Sequence, residues 1–232
     1  MSVVVTAASK KRWATKVPYT ITADIKDVAK NSIAEINEAI GFELLVQKAS
    51  TDTAFLKIKT VAESAASSKY IGYRNQAIDV IANNQEAMIH ELLHALGFGH
   101  EQYHKDYPWA DGGKTWNYTI ADSFDSKAQA AYEKSGIGTN DTLFTKLVAT
   151  GYTKMQATGQ LIYRHTYLKD NNYESLSSCD ADSVMMYPPM KAAVESAQIT
   201  TSTYKETGKF KSGKSLSVGD KSALVAMYAH LK

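Results

Sequence analysis

The chain of 232 residues has a single cysteine, Cys179, four prolines and almost no excess of charge, with 26 Lys and Arg against 24 Asp and Glu. One thiol excludes an internal disulfide framework, so packing and hydrogen bonds must hold the fold. Beyond the short cluster Lys10, Lys11, Arg12 there is no block of like charge. That removes the electrostatic footprint of a nucleic-acid or anionic-membrane binder, and neither partner is expected. No apolar run approaches the ~20 residues of a membrane span, and the N-terminus lacks a positive stretch followed by an apolar core. SVVVTAAS reads more simply as an extended segment. Internal repeats and low-complexity tracts are also absent. The remainder is a chain with 44% hydrophobic residues, enough for one sizeable core or two lobes sharing a cleft.

Hydrophobic periodicity divides the chain into a regular first half and an irregular second half. VPYTITA predicts a strand, and Ile25, Val28, Ile33, Ile36 and Ile40 recur at near-helical spacing over Asp24–Ile40. Gly41 then ends that helix. FELLVQKA, AFLKIKT, KYIGY and QAIDVIA predict short strands, with Asn83 and Asn84 marking the turn into a second helix near Gln85. Beyond His100 the chain is rich in Gly, Asn, Asp, Ser and Tyr. Short helices are expected there near Ser126–Lys134 and Asp141–Thr150. SVGDKSALVAMYAHL opens with Ser217 three residues before Asp220, a capping pattern that predicts a terminal helix. The expectation is a single α+β catalytic domain with an upper lobe of about residues 1–100 and a lower lobe of about 101–232. Its seam falls beside the most unusual stretch of the sequence.

That stretch is HELLHALGFGHEQ, which holds three of the six histidines. His90 and His94 are four residues apart and therefore share one helix face, one turn apart. Glu91 lies one step round the helix and can approach a metal-bound water without being a ligand. Gly97 lets the helix stop and the chain reverse, because glycine takes positive φ at little cost. His100 then returns as a third ligand; His104 is the alternative, with the glycine turn favouring His100. Three protein ligands leave a tetrahedral zinc with one open position, the mark of a catalytic site. Met88, Ile89, Leu92, Leu93, Ala95 and Leu96 are expected to bury the rest of the helix and hold the ligands rigidly. HExxH alone is weak evidence, but the two further fixed residues of HExxHxxGxxH lower the accidental rate by roughly two orders of magnitude.

The extended motif resembles that of the metzincin metalloproteases, and Phe98 with Glu101 makes it similar to the astacin family in particular. SVMMY, Ser183 to Tyr187, resembles that family's methionine turn, with Met185 as the turn methionine and Tyr187 as the tyrosine that approaches zinc. Trp13 before VPYTI resembles the family's N-terminal pattern, so the likeness runs from about Trp13 to the terminal helix. It implies a two-lobed metzincin or zincin-like fold, with a twisted mixed sheet and the active-site helix above the cleft. The irregular lower lobe would carry the methionine turn and the C-terminal helix. It further implies that the lowest strand of the sheet pairs with an extended substrate, and QAIDVIA is the matching segment, making Asp79, Val80 and Ile81 substrate-binding. In the family Glu101 contacts a buried amino terminus. Met186 stands where astacins carry histidine, and the paired cysteines of animal astacins are missing, which points to a bacterial relative.

The resemblance therefore implies a secreted, monomeric zinc endopeptidase acting on proteins or peptides, read as a mature domain without leader or pro-segment. One zinc ion on His90, His94 and His100 would activate water, Glu91 would carry its proton, and Tyr187 would support the oxyanion. Met185 is expected to pack beneath the metal. Two other readings remain from sequence: a catalytically silent zinc-containing peptide-binding domain, and an intracellular effector protease with the same chemistry. His165, His230 and Cys179 have no partner spacing and are expected to be structural. The YPPM segment, Tyr187–Met190, is expected to shape a pocket or to form a rigid loop.

Overall fold

The computed structural model describes residues 2–6, 12–60, 66–68, 70–101, 104, 173–177, 179–180, 182–186 and 215–232. The helices expected near 126–134 and 141–150, together with His165 and Tyr187–Met190, lie outside the described residues.

Among the described residues, five short strands form a mixed sheet: β2 (Val17–Ile21), β3 (Leu45–Gln47), β4 (Leu56–Lys59), β5 (Ser67–Ser68) and β6 (Ile78–Ile81), in the order β3-β2-β4-β6-β5. The first three pairings across that order are parallel and the last, β6 with β5, is antiparallel. Parallel neighbours need a crossover, and α1 (Lys26–Ile40) supplies one between β2 and β3. A separate antiparallel pair joins β1 (Ser2–Thr6) to β7 (Tyr173–Ser177), so SVVVT is extended as expected.

The alternation in the sequence identifies the covered face. Val17 and Tyr19, Leu56 and Ile58, and Ile78 and Val80 are buried, while Lys57 and Lys59 point the other way. Against that apolar face lie Ala29, Ile33, Ile36 and Ile40 of α1, and Met88, Ile89, Leu92, Leu93 and Ala95 of α2 (Gln85–Ala95). Each fully buried aliphatic side chain stabilises the layer by about 1.5–3 kcal/mol. Pro18 is tolerated in the interior strand β2 because of its register. Val17 and Tyr19 bond to the β3 side, and pairing with β4 begins only at Tyr19, so no ladder bond is lost at Pro18.

Gly41 ends α1 in the left-handed conformation, with φ of 77°, and its N–H reaches the Asn37 and Glu38 carbonyls. Asn37 then clamps the following chain. Its carboxamide oxygen accepts from the N–H groups of Leu44 and Leu45, and its Nδ2 donates to the Leu45 carbonyl. KYIGY is not a strand in the structure. Gly72 has φ of 73°, outside the range of a pleated strand, and its N–H donates to the His94 carbonyl at 2.8 Å. The strand in this region is the Ser67–Ser68 pair, whose residue types carry no apolar alternation to reveal it.

α3 (Val218–Tyr228) begins with the expected cap, Ser217 and Asp220 forming a reciprocal capping box. Its Ala223, Leu224, Met227 and Tyr228 join the same core as α1 and α2. Tyr228 is fully buried, and its hydroxyl donates to the Leu96 carbonyl at 2.5 Å, at the end of α2. Burial pushes its phenol pKa upward, so it stays a neutral donor. Tyr228→Phe leaves the Leu96 carbonyl without that donor in the core. The expected loss is about 1–3 kcal/mol of unfolding free energy, read by urea denaturation.

Candidate metal centre

The site is built on α2, a helix sealed on almost every side. Asn84 caps its start by accepting from the Ala87 N–H at 2.9 Å. Met88, Ile89, Leu92, Leu93, Ala95 and Leu96 are all fully buried, as the pattern required. The helix stops in a Schellman motif. Gly97, with φ of 102°, donates to the His94 carbonyl, and Phe98 donates to the Leu93 carbonyl, both at 2.9 Å. The carbonyls that such an end exposes are taken by distant segments. Trp13 Nε1 donates to Ala95 O at 3.0 Å, Tyr228 to Leu96 O and Gly72 N to His94 O.

This reversal brings His100 back over the helix. Ligand atoms of His90, His94 and His100 all lie within 4.8 Å of one another. Nε2 of His94 and Nε2 of His100 are 3.0 Å apart. Around a tetrahedral zinc with Zn–N of ~2.0–2.1 Å, neighbouring nitrogens sit about 3.3 Å apart, so the cluster has the right scale. Tautomers also agree. His90 Nδ1 donates to the Val184 carbonyl and His94 Nδ1 to the Phe98 carbonyl, each at 2.8 Å, which leaves both Nε2 lone pairs for a metal. The donor set therefore fits zinc. His104 is buried but is not in the cluster; its backbone N–H donates to the Glu101 carbonyl. His230, on the short 3-10 turn Ala229–Leu231, is exposed and remote in role.

Electrostatics prepares these groups for the same task. Burial, reinforced by the neighbouring rings, holds His94 down to about 3 and His100 well below the ordinary imidazole range. Burial also lowers His90, partly opposed by its bond to Val184. All three are neutral ligands at pH 7. Glu91 goes the other way: burial raises its carboxyl to about 7, against a lowering contribution from the Ser68 backbone N–H that it accepts. A cleft of about 400 Å³ opens beside His90 and Glu91, lined also by Ala66, Asn84, Glu86, Val184 and Met186.

The methionine turn lies under the cluster. Ser183, Val184, Met185 and Met186 are buried, and Met185 is fully enclosed among apolar neighbours. Glu101 staples the chain after His100 to this turn. Its N–H donates to the Met185 carbonyl at 3.1 Å, and its carboxylate accepts from the Asp180 N–H at 2.6 Å. Cys179, also buried, directs its thiol to the Glu101 carbonyl at 3.9 Å. Asp79, Val80 and Ile81 do lie on a strand of the sheet, but that strand is not its edge. β5 pairs outside it, Ser67 with Ile81 and Ser68 with Val80, and Asp79 pairs with Lys59 at 3.0 Å. Sequence reasoning missed Gly72, Tyr228 and Val184 as supports. Two of them act through backbone atoms, and the third is one of 14 tyrosines with no local signal.

Three histidines from one helix and the turn behind it, with an acid beside them and an α+β sheet above, define a zinc metallopeptidase site. Residues 5–108 match the family model described as Astacin, a peptidase family, and over that stretch the chain belongs to the astacin family. No curated protein matches the sequence. Among solved structures the chain is similar to high choriolytic enzyme 1, a hatching enzyme zinc-protease from the medaka fish Oryzias latipes. The two are 16% identical over 96% of each chain with a TM-score of 0.53, which supports a shared fold. The crystal structure of myroilysin aligns over 95% of this chain and 86% of its own at 13% identity, with a TM-score of 0.41.

In the metal-free protein the two kinds of shift act in opposite pH ranges. Histidines lowered from 6.5 let stability fall as pH drops below about 6.5, because the unfolded chain takes up protons that the folded chain refuses. Glu91, raised from 4.5, contributes fully below about pH 4.5, and that contribution is lost as pH rises through about 7. Glu91→Gln should therefore stabilise the chelator-treated protein at pH 8, by roughly 2–3 kcal/mol, and hardly change it at pH 4. Urea denaturation at the two pH values reads the difference.

Proposed function

We propose that this protein is a zinc-dependent endopeptidase that hydrolyses peptide bonds in protein substrates, with Glu91 as the proton carrier. The observation that carries the reading is the position of Glu91: a buried carboxyl raised to about 7, next to a ligand-ready histidine cluster and open to a cleft. Bound to His90, His94 and His100, zinc would supply Lewis acidity and lower the pKa of water. Glu91, steadied by the Ser68 N–H, accepts a proton from the attacking water and returns one to the leaving amine. A pKa near the working pH suits a group that must be base first and acid second. His90 and His94 keep their Nε2 atoms turned inward because Val184 and Phe98 hold the opposite ring nitrogens.

Tyr187, two residues beyond Met185, is assigned as the donor to the developing oxyanion, a contribution worth ~3–4 kcal/mol in comparable sites. Lobes of about 1–100 and 101–232 would meet at the cleft. A substrate that adds to the sheet as a strand has β5 as its docking edge, with Asp79–Ile81 one strand further in. The lone Cys179 and the absence of paired cysteines support a bacterial secreted enzyme rather than an animal-type astacin, and we read it as a monomer. Among the described residues no helix is long and apolar enough to cross a membrane. A silent peptide-binding domain would have no use for an acid of this pKa, which favours the enzyme.

Chelation should abolish casein cleavage and added zinc should restore it. Glu91→Ala should retain one zinc per chain by elemental analysis while kcat falls by about 10²–10⁴-fold. Undiminished cleavage by that variant would remove Glu91 from the mechanism.

A further inference from the structure

Asp220 sits on the first turn of α3, fully buried, and does more than complete a helix cap. One carboxylate oxygen, Oδ2, accepts from the Ser217 N–H and from the Val184 N–H, both at 3.0 Å. The other, Oδ1, accepts from the Ser183 hydroxyl at 2.7 Å. That hydroxyl oxygen in turn accepts from the Met185 N–H at 3.0 Å. Asp220 therefore grips the turn at Ser183 and Val184 directly and at Met185 through one intermediary. From the same turn, the Val184 carbonyl receives Nδ1–H of His90 and the Met185 carbonyl receives the N–H of Glu101, next to His100.

A cap alone requires only the bond to Ser217 N–H and the reciprocal bond from Asp220 N–H to Ser217 Oγ at 2.9 Å. The contacts to Ser183 and Val184 have no part in ending a helix. Their effect is to fix where the Val184 carbonyl points, and that carbonyl selects the His90 tautomer with Nε2 free for metal. Groups that orient a ligand histidine through its second nitrogen commonly change metal affinity when removed. Asp220 is 130 residues from His90 in sequence, and this turn connects the two.

We propose that Asp220 is a positioning residue for the metal site, setting the ring of His90 through the Ser183–Val184–Met185 turn. The proposal rests on the reading of the three histidines as the zinc site. Zinc-loaded protein is mixed with an excess of a chromogenic chelator and the rate of zinc release is followed. Asp220→Ala is expected to release zinc about 10–100-fold faster than wild type. Ser217→Ala, which removes the cap hydroxyl but leaves the grip on the turn, should lower Tm while its release rate stays within about threefold of wild type. Asp220→Asn should recover most of the slow release, because its amide oxygen can still accept from Ser217 and Val184. Should Asp220→Ala not fold, Ser183→Ala, which removes the intermediary, takes its place with the same expectation.

A second readout uses the metal-free protein. The ¹⁵N resonances of His90 should report the Nδ1–H tautomer in wild type and Ser217→Ala and a tautomer mixture in Asp220→Ala. Equal release rates in Asp220→Ala and Ser217→Ala, or an unchanged His90 tautomer, would overturn the proposal. A wild-type protein that takes up no zinc would overturn the metal-site reading itself, and the tautomer measurement would still judge the role of Asp220.

Discussion

The last turn of α2 is the constraint on which the site depends. A helix that ends inside a protein leaves carbonyls that must find donors, and here three distant segments provide them: Trp13 from before the sheet, Gly72 from the loop after β5, and Tyr228 from the terminal helix. Those bonds hold the helix end while Gly97 reverses the chain within the Schellman turn. Only because the reversal is anchored does His100 arrive 3.0 Å from His94 instead of continuing away from it. The metal cluster is thus a consequence of how a helix end is satisfied, and the hydrophobic burial of α2 supplies the rigidity.

Building the cluster in a dry setting has an electrostatic cost that the chemistry then uses. Desolvation holds the three imidazoles neutral and keeps the Glu91 carboxyl near neutrality at pH 7. Without a cation nearby these are unfavourable burials; with one they become a ligand set and a tunable base. The same region therefore explains both a destabilised metal-free site and a reactive loaded one. Carbonyls rather than carboxylates orient His90 and His94, so the ring positions depend on backbone geometry in two turns, at Phe98 and at Val184.

Local chemistry was legible wherever the signal was periodic or conformationally special. The apolar spacing of α1 and α2, the alternation in β2, β4 and β6, the Gly41 and Gly97 terminations and the Ser217–Asp220 box all appear in the structure as read. KYIGY misled because tyrosine and isoleucine have strand propensity, whereas Gly72 needed positive φ to reach the His94 carbonyl. The Ser67–Ser68 strand was invisible because its pairing is decided by β6 and not by its own side chains. For the same reason Asp79–Ile81 looked like an edge: whether a strand has one neighbour or two is a property of the sheet.

The sequence by itself determined the donor set and its spacing, since i and i+4 on a helix share a face and glycine three residues later permits the reversal. It also determined that the fold would be α+β with zinc-peptidase chemistry. Tertiary structure alone decided which carbonyls orient the rings, how far each carboxyl and imidazole is shifted, and that Glu101, Asp220 and Tyr228 converge on this helix end. Those outcomes depend on burial and on contacts between residues up to 181 positions apart, as in the bond from Leu216 N–H to Glu35. No local pattern encodes such meetings, because the energy that selects them arises only when the layers close.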